Sequence, residues 1–228
     1  MRHVSYPIRR HELYDLIESG EGADIEFKRQ FSSPEKIARE IIAFANTRGG
    51  YILFGVDDDG TVVGVRSEKS ELDEIEHAAQ FMAEPPVEII AENVHAGRGL
   101  DIVLIRVPES KDKPHTLVEY ESSGRRSKEQ SRIGYVRYED KSVQASREVM
   151  NVMRGEHPEG PPLRLSIGYN EKALFSYLDQ YGKITVEEFA NLVNISRRRA
   201  SKILVNLVRA GAVLLHSFEK TEFFTLTK

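Results

Sequence analysis

Ala43-Phe44-Ala45-Asn46-Thr47-Arg48-Gly49-Gly50-Tyr51-Ile52-Leu53-Phe54-Gly55-Val56-Asp57-Asp58-Asp59-Gly60 joins a helix end, a strand and a turn. The helix begins upstream, where Ser33 is an N-cap and Pro34 sits in the first turn. Ile37, Ile41, Phe44 and Ala45 then fall on one stripe. Asn46 to Gly50 stops it. Tyr51 to Val56 is a nearly continuous apolar run, the pattern of a central strand. Asp57 to Gly60 is a hairpin turn, and Thr61 to Val65 is the expected return.

Outward from this block, helices and hairpins mix. Asp24 to Lys28 alternates polar and apolar at period 2, a half-buried strand, and Arg9 to Glu18 is a short helix before it. Lys69 to Ala83 is helical. Val87 to His95 and Leu100 to Val107 form a hairpin around Gly97-Arg98-Gly99. Arg132 to Tyr138 is a late strand and Ala145 to Arg154 a closing helix. The expectation is an α+β domain of mixed sheet and helices over residues 1–154. Pro108 to Ser131 lacks periodicity and carries Arg125, Arg126 and Lys128. It is either a surface loop or a basic finger laid over a polynucleotide.

Residues 155–162 hold two glycines and three prolines and cannot sustain helix or central strand, so they read as a linker. Residues 163–228 form a second, smaller unit. Asn170 to Tyr181 is an amphipathic helix, and Thr185-Val186-Glu187-Glu188 is a capping box that starts a short helix through Val193. Asn194-Ile195-Ser196 is a turn. Ser196 caps a third helix that runs to Ala210 and stops at Gly211. Ala200, Ile203, Leu204 and Leu207 make its buried face; Arg198, Ser201, Lys202, Val205 and Arg209 stand opposite, with Arg197 and Arg199 on the shoulders. Val213 to His216 and Glu222 to Leu226 complete a hairpin. This order resembles a winged helix-turn-helix. Its basic helix suits contact with nucleic acid through Arg197, Arg198, Arg199, Ser201, Lys202 and Arg209, or else the unit is a protein-interaction module with solvated arginines.

Charge is unevenly placed. The 228 residues have a formal net charge of -4, yet Leu163 to the end holds 10 basic and 6 acidic residues. An electrostatic grip on phosphate would therefore be local. Cysteine is absent, which excludes disulfides and thiolate metal sites and favours a reducing compartment. The first 30 residues lack a signal-peptide pattern and no stretch approaches roughly 18 uncharged apolar residues, so a cytoplasmic protein with no membrane span is expected.

Glu21-Gly22-Ala23-Asp24-Ile25-Glu26-Phe27-Lys28, the block Ala43 to Gly60, Lys113-Pro114-His115 and Gly134-Tyr135-Val136-Arg137-Tyr138 together resemble the Schlafen-type, AlbA-like domain, which also carries a divergent-AAA label. The resemblance spans roughly Leu13 to Val149. It implies a nucleic-acid role. Animal members of the family include endoribonucleases that cut structured RNA such as tRNA with three carboxylates and a divalent metal. Carried over by position, those carboxylates fall on Glu21, Glu26 and Asp58, with Asp57 as the substitute, and would hold Mg²⁺ or Mn²⁺. Lys28, two residues from Glu26 and so on the same strand face, would bind the scissile phosphate or stabilise the leaving oxygen. The same residues also suit a solvent face and an ordinary turn. ATP hydrolysis is excluded by the lack of a Gly-x-x-x-x-Gly-Lys-Ser/Thr stretch.

The sequence thus points first to a nucleic-acid-binding transcriptional regulator. The alternative is a metal-dependent endoribonuclease. Either would act as a homodimer, with the basic loops around Arg125 and Arg126 flanking a shared cleft.

Overall fold

A computed structural model describes residues 8–121, 128–160, 162–218 and 221–227. These divide into two compact units, one up to Gln144 and one from Ala145.

In the first unit, α1 (Arg10–Ser19), β1 (Ile25–Lys28), α2 (Pro34–Asn46), β2 (Gly49–Phe54) and α3 (Glu68–Phe81) lead into a two-residue strand β3 (Ala83–Glu84). Then come β4 (Ile90–Gly97), β5 (Leu100–Pro108), β6 (Thr116–Glu121), β7 (Lys128–Ile133), β8 (Tyr135–Tyr138) and β9 (Lys141–Gln144). The central sheet has the order β1-β2-β5-β4, with β1 parallel to β2 and the other pairs antiparallel. Side chains alternate across it. Ile52, Phe54, Val103 and Ile105 join α2 and α3 in one core, while Phe27, Leu53, Ile102 and Leu104 join α1 in another. A sheet covered on both faces needs apolar residues at consecutive positions, which is why Tyr51 to Val56 is so continuous. Each fully buried side chain of this size contributes about 1.5–3 kcal/mol over leaving it exposed.

The return strand expected at Thr61 to Val65 does not form. Both edges of β2 are occupied, by β1 and β5, so the segment is held instead by an isolated bridge from Val62 to Val56 and by backbone bonds to Gly55, Asp57 and Asp101. The described residues of Pro108 to Ser131 include two strands that its composition did not announce. β6 and β7 pair antiparallel, and β6 also pairs with β3. The late strand divides at Gly134: β8 turns back to pair with β9, which sequence patterning had missed.

The second unit contains α4 (Arg147–Glu156), α5 (Tyr169–Tyr181), α6 (Val186–Leu192), α7 (Arg197–Arg209), β10 (Val213–Phe218) and β11 (Thr221–Leu226). The expected boundary after Arg154 thus lies earlier in the structure, after Gln144, because α4 packs on α7. The core gathers Leu174 and Leu178 of α5, Phe189 of α6, Ala200, Leu204 and Leu207 of α7, and Val213 and Phe224 of the hairpin. Ile184 bridges Phe224, tying the segment before α6 to the hairpin. No helix among the described residues is long and apolar enough to cross a membrane.

Candidate nucleic-acid interface

In the second unit the basic residues expected to meet nucleic acid, Arg197, Arg198, Arg199, Lys202 and Arg209, stand on α7. The Ser196 hydroxyl accepts a hydrogen bond from the Arg199 amide at 3.3 Å and so starts the helix, as the sequence predicts. Arg197, Arg198, Arg199 and Lys202 are all exposed. Ser201 and Val205, expected on the outward face with them, are buried at 8% and 7% exposure. The reason is α4. Its Glu148, itself 5% exposed, accepts from the Ser201 hydroxyl at 3.0 Å. Arg209 is partly buried as well, with its side chain laid against Gly155: a Cβ there would lie 2.5 Å from Arg209 Cδ. Serine, valine and arginine at these positions fit a polar helix face as well as a helix contact, so periodicity alone did not reveal the cover.

Beneath the arginines lies a carboxyl pair. Ser146 donates to Glu222 of β11, and burial, then the adjacent Glu148, push the Glu222 carboxyl above its ordinary value, with Arg197 pulling the other way. Arg125 and Arg126 lie outside the described residues, and Lys128 is described only as the first residue of β7.

In the first unit the carboxylates proposed from the family resemblance are placed separately. Glu21 turns back on its own segment, where Oε1 accepts the Phe27 amide at 2.8 Å. Glu26 lies on the α2 face of β1, because Ile25 and Phe27 fill the opposite core. It pairs with Lys28 and, at 2.9 Å, with Arg137. Asp57 pairs with Arg29 at 2.7 Å, and Asp58 is exposed in the turn. Among the described residues no three His, Cys, Asp or Glu side chains stand close enough to hold one metal ion. Glu21, Glu26 and Asp58 in this arrangement do not fit the divalent ion that the resemblance implies: one caps backbone, one is held by two cations, and one faces solvent.

What the domain builds instead is a buried polar cluster around Arg137, whose side chain is 1% exposed. Its Nη1 donates to Glu26, to Glu40 at 3.0 Å and to Ser142 at 3.2 Å, while Nη2 donates to the Gly22 carbonyl at 2.6 Å. The guanidinium sits 4.5 Å from the Phe44 ring centroid. Glu40 also accepts from Ser142. Burial, then the neighbouring Glu26, raises the Glu40 carboxyl; Ser142, Lys28 and Arg137 offset part of that.

The end of α2 positions this cluster. Asn46, 4% exposed, donates from Nδ2 to the carbonyls of His115 and Tyr135, both at 2.9 Å, and accepts the His115 amide at 2.8 Å. Thr47 accepts the Arg137 amide at 2.9 Å. The blocks that carry the family resemblance are therefore stitched together here: Ala43 to Thr47 holds Lys113 to His115 on one side and Tyr135 to Arg137 on the other. In the sequence Asn46 reads only as the start of a helix stop and Arg137 only as part of the resemblance, and Glu40 does not stand out. Arginine on a strand of alternating Tyr-Val-Arg-Tyr was the available signal.

Over 88% of its length the chain is similar to the DIP2311 protein from Corynebacterium diphtheriae, at 13% identity and a TM-score of 0.47, and spans 36% of that chain. Over 55% it is similar to the N-terminal domain of a RecG-related protein from Nitrosomonas europaea, at 24% identity and a TM-score of 0.40, spanning 88% of that domain. No curated protein matches the chain. Residues 21–146, more than half of the sequence, match the Schlafen, AlbA_2 family, and the chain belongs to that family.

Proposed function

We propose that the protein is a nucleic-acid-binding regulator whose second unit is a winged helix-turn-helix. Family membership supports a nucleic-acid-related role. The observation that carries the finer reading is the four exposed cations Arg197, Arg198, Arg199 and Lys202 on one helix of a unit that closes with a hairpin. Such a cluster meets phosphate, and the hairpin would lie beside the strand it grips. The first unit acts as the body that carries this reader. A regulator of this kind works as a homodimer, because two half-sites multiply effective affinity without new contacts. Light scattering tests that part: a mass near the 25.9 kDa of one chain would exclude the dimer.

The binding reading is tested by titrating the full chain with a labelled polynucleotide at several salt concentrations. Arg198→Ala with Lys202→Ala should weaken binding and flatten its log–log salt dependence by about 0.7–0.9 per lost phosphate contact. Unchanged affinity and slope would assign the unit to protein interaction. The endoribonuclease reading is tested with labelled tRNA and Mn²⁺: cleavage that Glu26→Gln abolishes in a folded protein would restore it.

A further inference from the structure

The stripe of α7 left open is narrow and walled on both sides. On one side α4 covers Ser201 and Val205, and Arg147 and Asn151 of α4 line a groove of about 640 Å³ together with Arg197, Arg198 and Lys202. On the other side the start of α5 forms a second groove, also about 640 Å³, lined by Tyr169, Asn170, Arg199 and Lys202. Lys202 belongs to both, so it stands on the ridge between them.

This shape opposes the usual use of such a helix. A duplex major groove is about 12 Å wide and admits one helix of about 10–12 Å diameter. Two helices packed side by side, with axes ~8–10 Å apart, present roughly 20 Å. α7 lying beside α4 therefore cannot seat its length in that groove, and Ser201 and Val205, in the middle of the face that α4 covers, are not free to read bases.

The walls offer something else. Tyr169 is 81% exposed, the most exposed large apolar side chain among the described residues. It lines the same groove as Arg199 and Lys202. An exposed aromatic ring beside cations is the chemistry that holds an unpaired strand: bases stack on the ring while the cations track the backbone. We propose that this unit binds single-stranded polynucleotide, with Tyr169 as a stacking platform and the two cationic grooves beside α7 as the phosphate track. The inference rests on the nucleic-acid reading above and narrows its substrate class.

The test uses the full chain and a fluorescein-labelled 20-mer in three forms: single-stranded DNA, single-stranded RNA of the same sequence, and the DNA duplex. Fluorescence anisotropy should show the single strands, DNA or RNA, bound more tightly than the duplex at equal salt. Tyr169→Ala should weaken single-strand binding on the order of tenfold and leave duplex binding unchanged. Tyr169 is an exposed first residue of its helix, so alanine there leaves the fold intact, which circular dichroism checks. Tyr169→Phe should restore binding, since the ring is kept. Duplex binding as tight as single-strand binding, or a silent Tyr169→Ala, overturns this inference and leaves the nucleic-acid reading standing. Absence of binding to all three forms overturns both.

Discussion

Arg137 of β8 and Glu26 of β1, 111 residues apart in sequence, meet at 2.9 Å in a pocket that leaves the arginine side chain 1% exposed. The pair joins the strand at one edge of the main sheet to the late hairpin that follows it. Removing one member of a buried ion pair leaves the other uncompensated, which costs about 3–5 kcal/mol. Glu40 still faces Arg137 when Glu26 is gone, so Glu26→Ala should cost about 3 kcal/mol, the lower end of that range. Glu26→Gln keeps an acceptor and should cost less. Urea denaturation checks both. A midpoint unmoved by Glu26→Ala would free Glu26 from a structural role. The order of these two variants also guards the nuclease test, since lost cleavage in a destabilised protein says nothing about chemistry.

Gly50 is where β2 passes closest to its neighbours. A Cβ there would lie 2.5 Å from the Asp24 carbonyl oxygen and 2.5 Å from the Phe44 ring. Neither can retreat easily, because one is backbone and the other is fully buried. Gly50→Ala should therefore destabilise by about 1–3 kcal/mol, the cost of overpacking. Gly22→Ala is the control: a Cβ there meets nothing within 4 Å. Thermal melts of the two variants should separate clearly, and equal melts would show that β1 and α2 yield more than their packing implies.

Asn46 uses both ends of its amide, donating to two carbonyls and accepting one amide. Asn46→Asp looks conservative yet replaces the donor with an oxygen aimed at the carbonyls of His115 and Tyr135. Each orphaned buried group costs about 1–3 kcal/mol. Asn46→Asp should thus destabilise at least as much as Asn46→Ala in urea denaturation. An aspartate variant of nearly parental stability would contradict this hydrogen-bond arrangement.

Local patterns in the sequence carried the helices and the central strand. The N-caps Ser33, Thr185 and Ser196 and the central strand are decided by neighbours a few residues away; the structure agrees with each cap, and the strand forms at Gly49–Phe54, two residues earlier than the apolar run Tyr51 to Val56. What depends on distant partners was not legible. Thr61 to Val65 has strand composition, but β2, the strand it would pair with, is already flanked by β1 and β5. Ser201 and Val205 lie on a face that only α4 closes, and α4 lies some fifty residues upstream. The candidate site divides the same way. Arg197, Arg198, Arg199 and Lys202 are exposed as a helical wheel implies, whereas Glu21, Glu26 and Asp58 were placed by family position: Phe27 engages Glu21, Lys28 and Arg137 engage Glu26, and Asp58 is exposed.

The carboxyl pair under α7 gives the second unit a specific pH response. Glu222 is raised above its ordinary value of 4.5 by burial first and by Glu148 second; Ser146 and Arg197 oppose the shift. The folded state therefore keeps a proton on Glu222 at a pH where the unfolded chain has released it. The stability this contributes is full below pH 4.5 and is lost as pH rises through the folded value. Glu222→Gln cannot ionise, keeps an acceptor for Ser146, and removes the like charge beside Glu148. Relative to the parent, its stability should rise steadily from pH 4.5 toward neutrality, then level off once Glu222 in the parent is fully ionised. Urea midpoints of both proteins at half-unit pH steps between 4.5 and 7.5 provide the measurement. A difference that stays constant across that window would mean the Glu222 carboxyl titrates alike in the folded and unfolded chain, and that Glu148 does not bear on it.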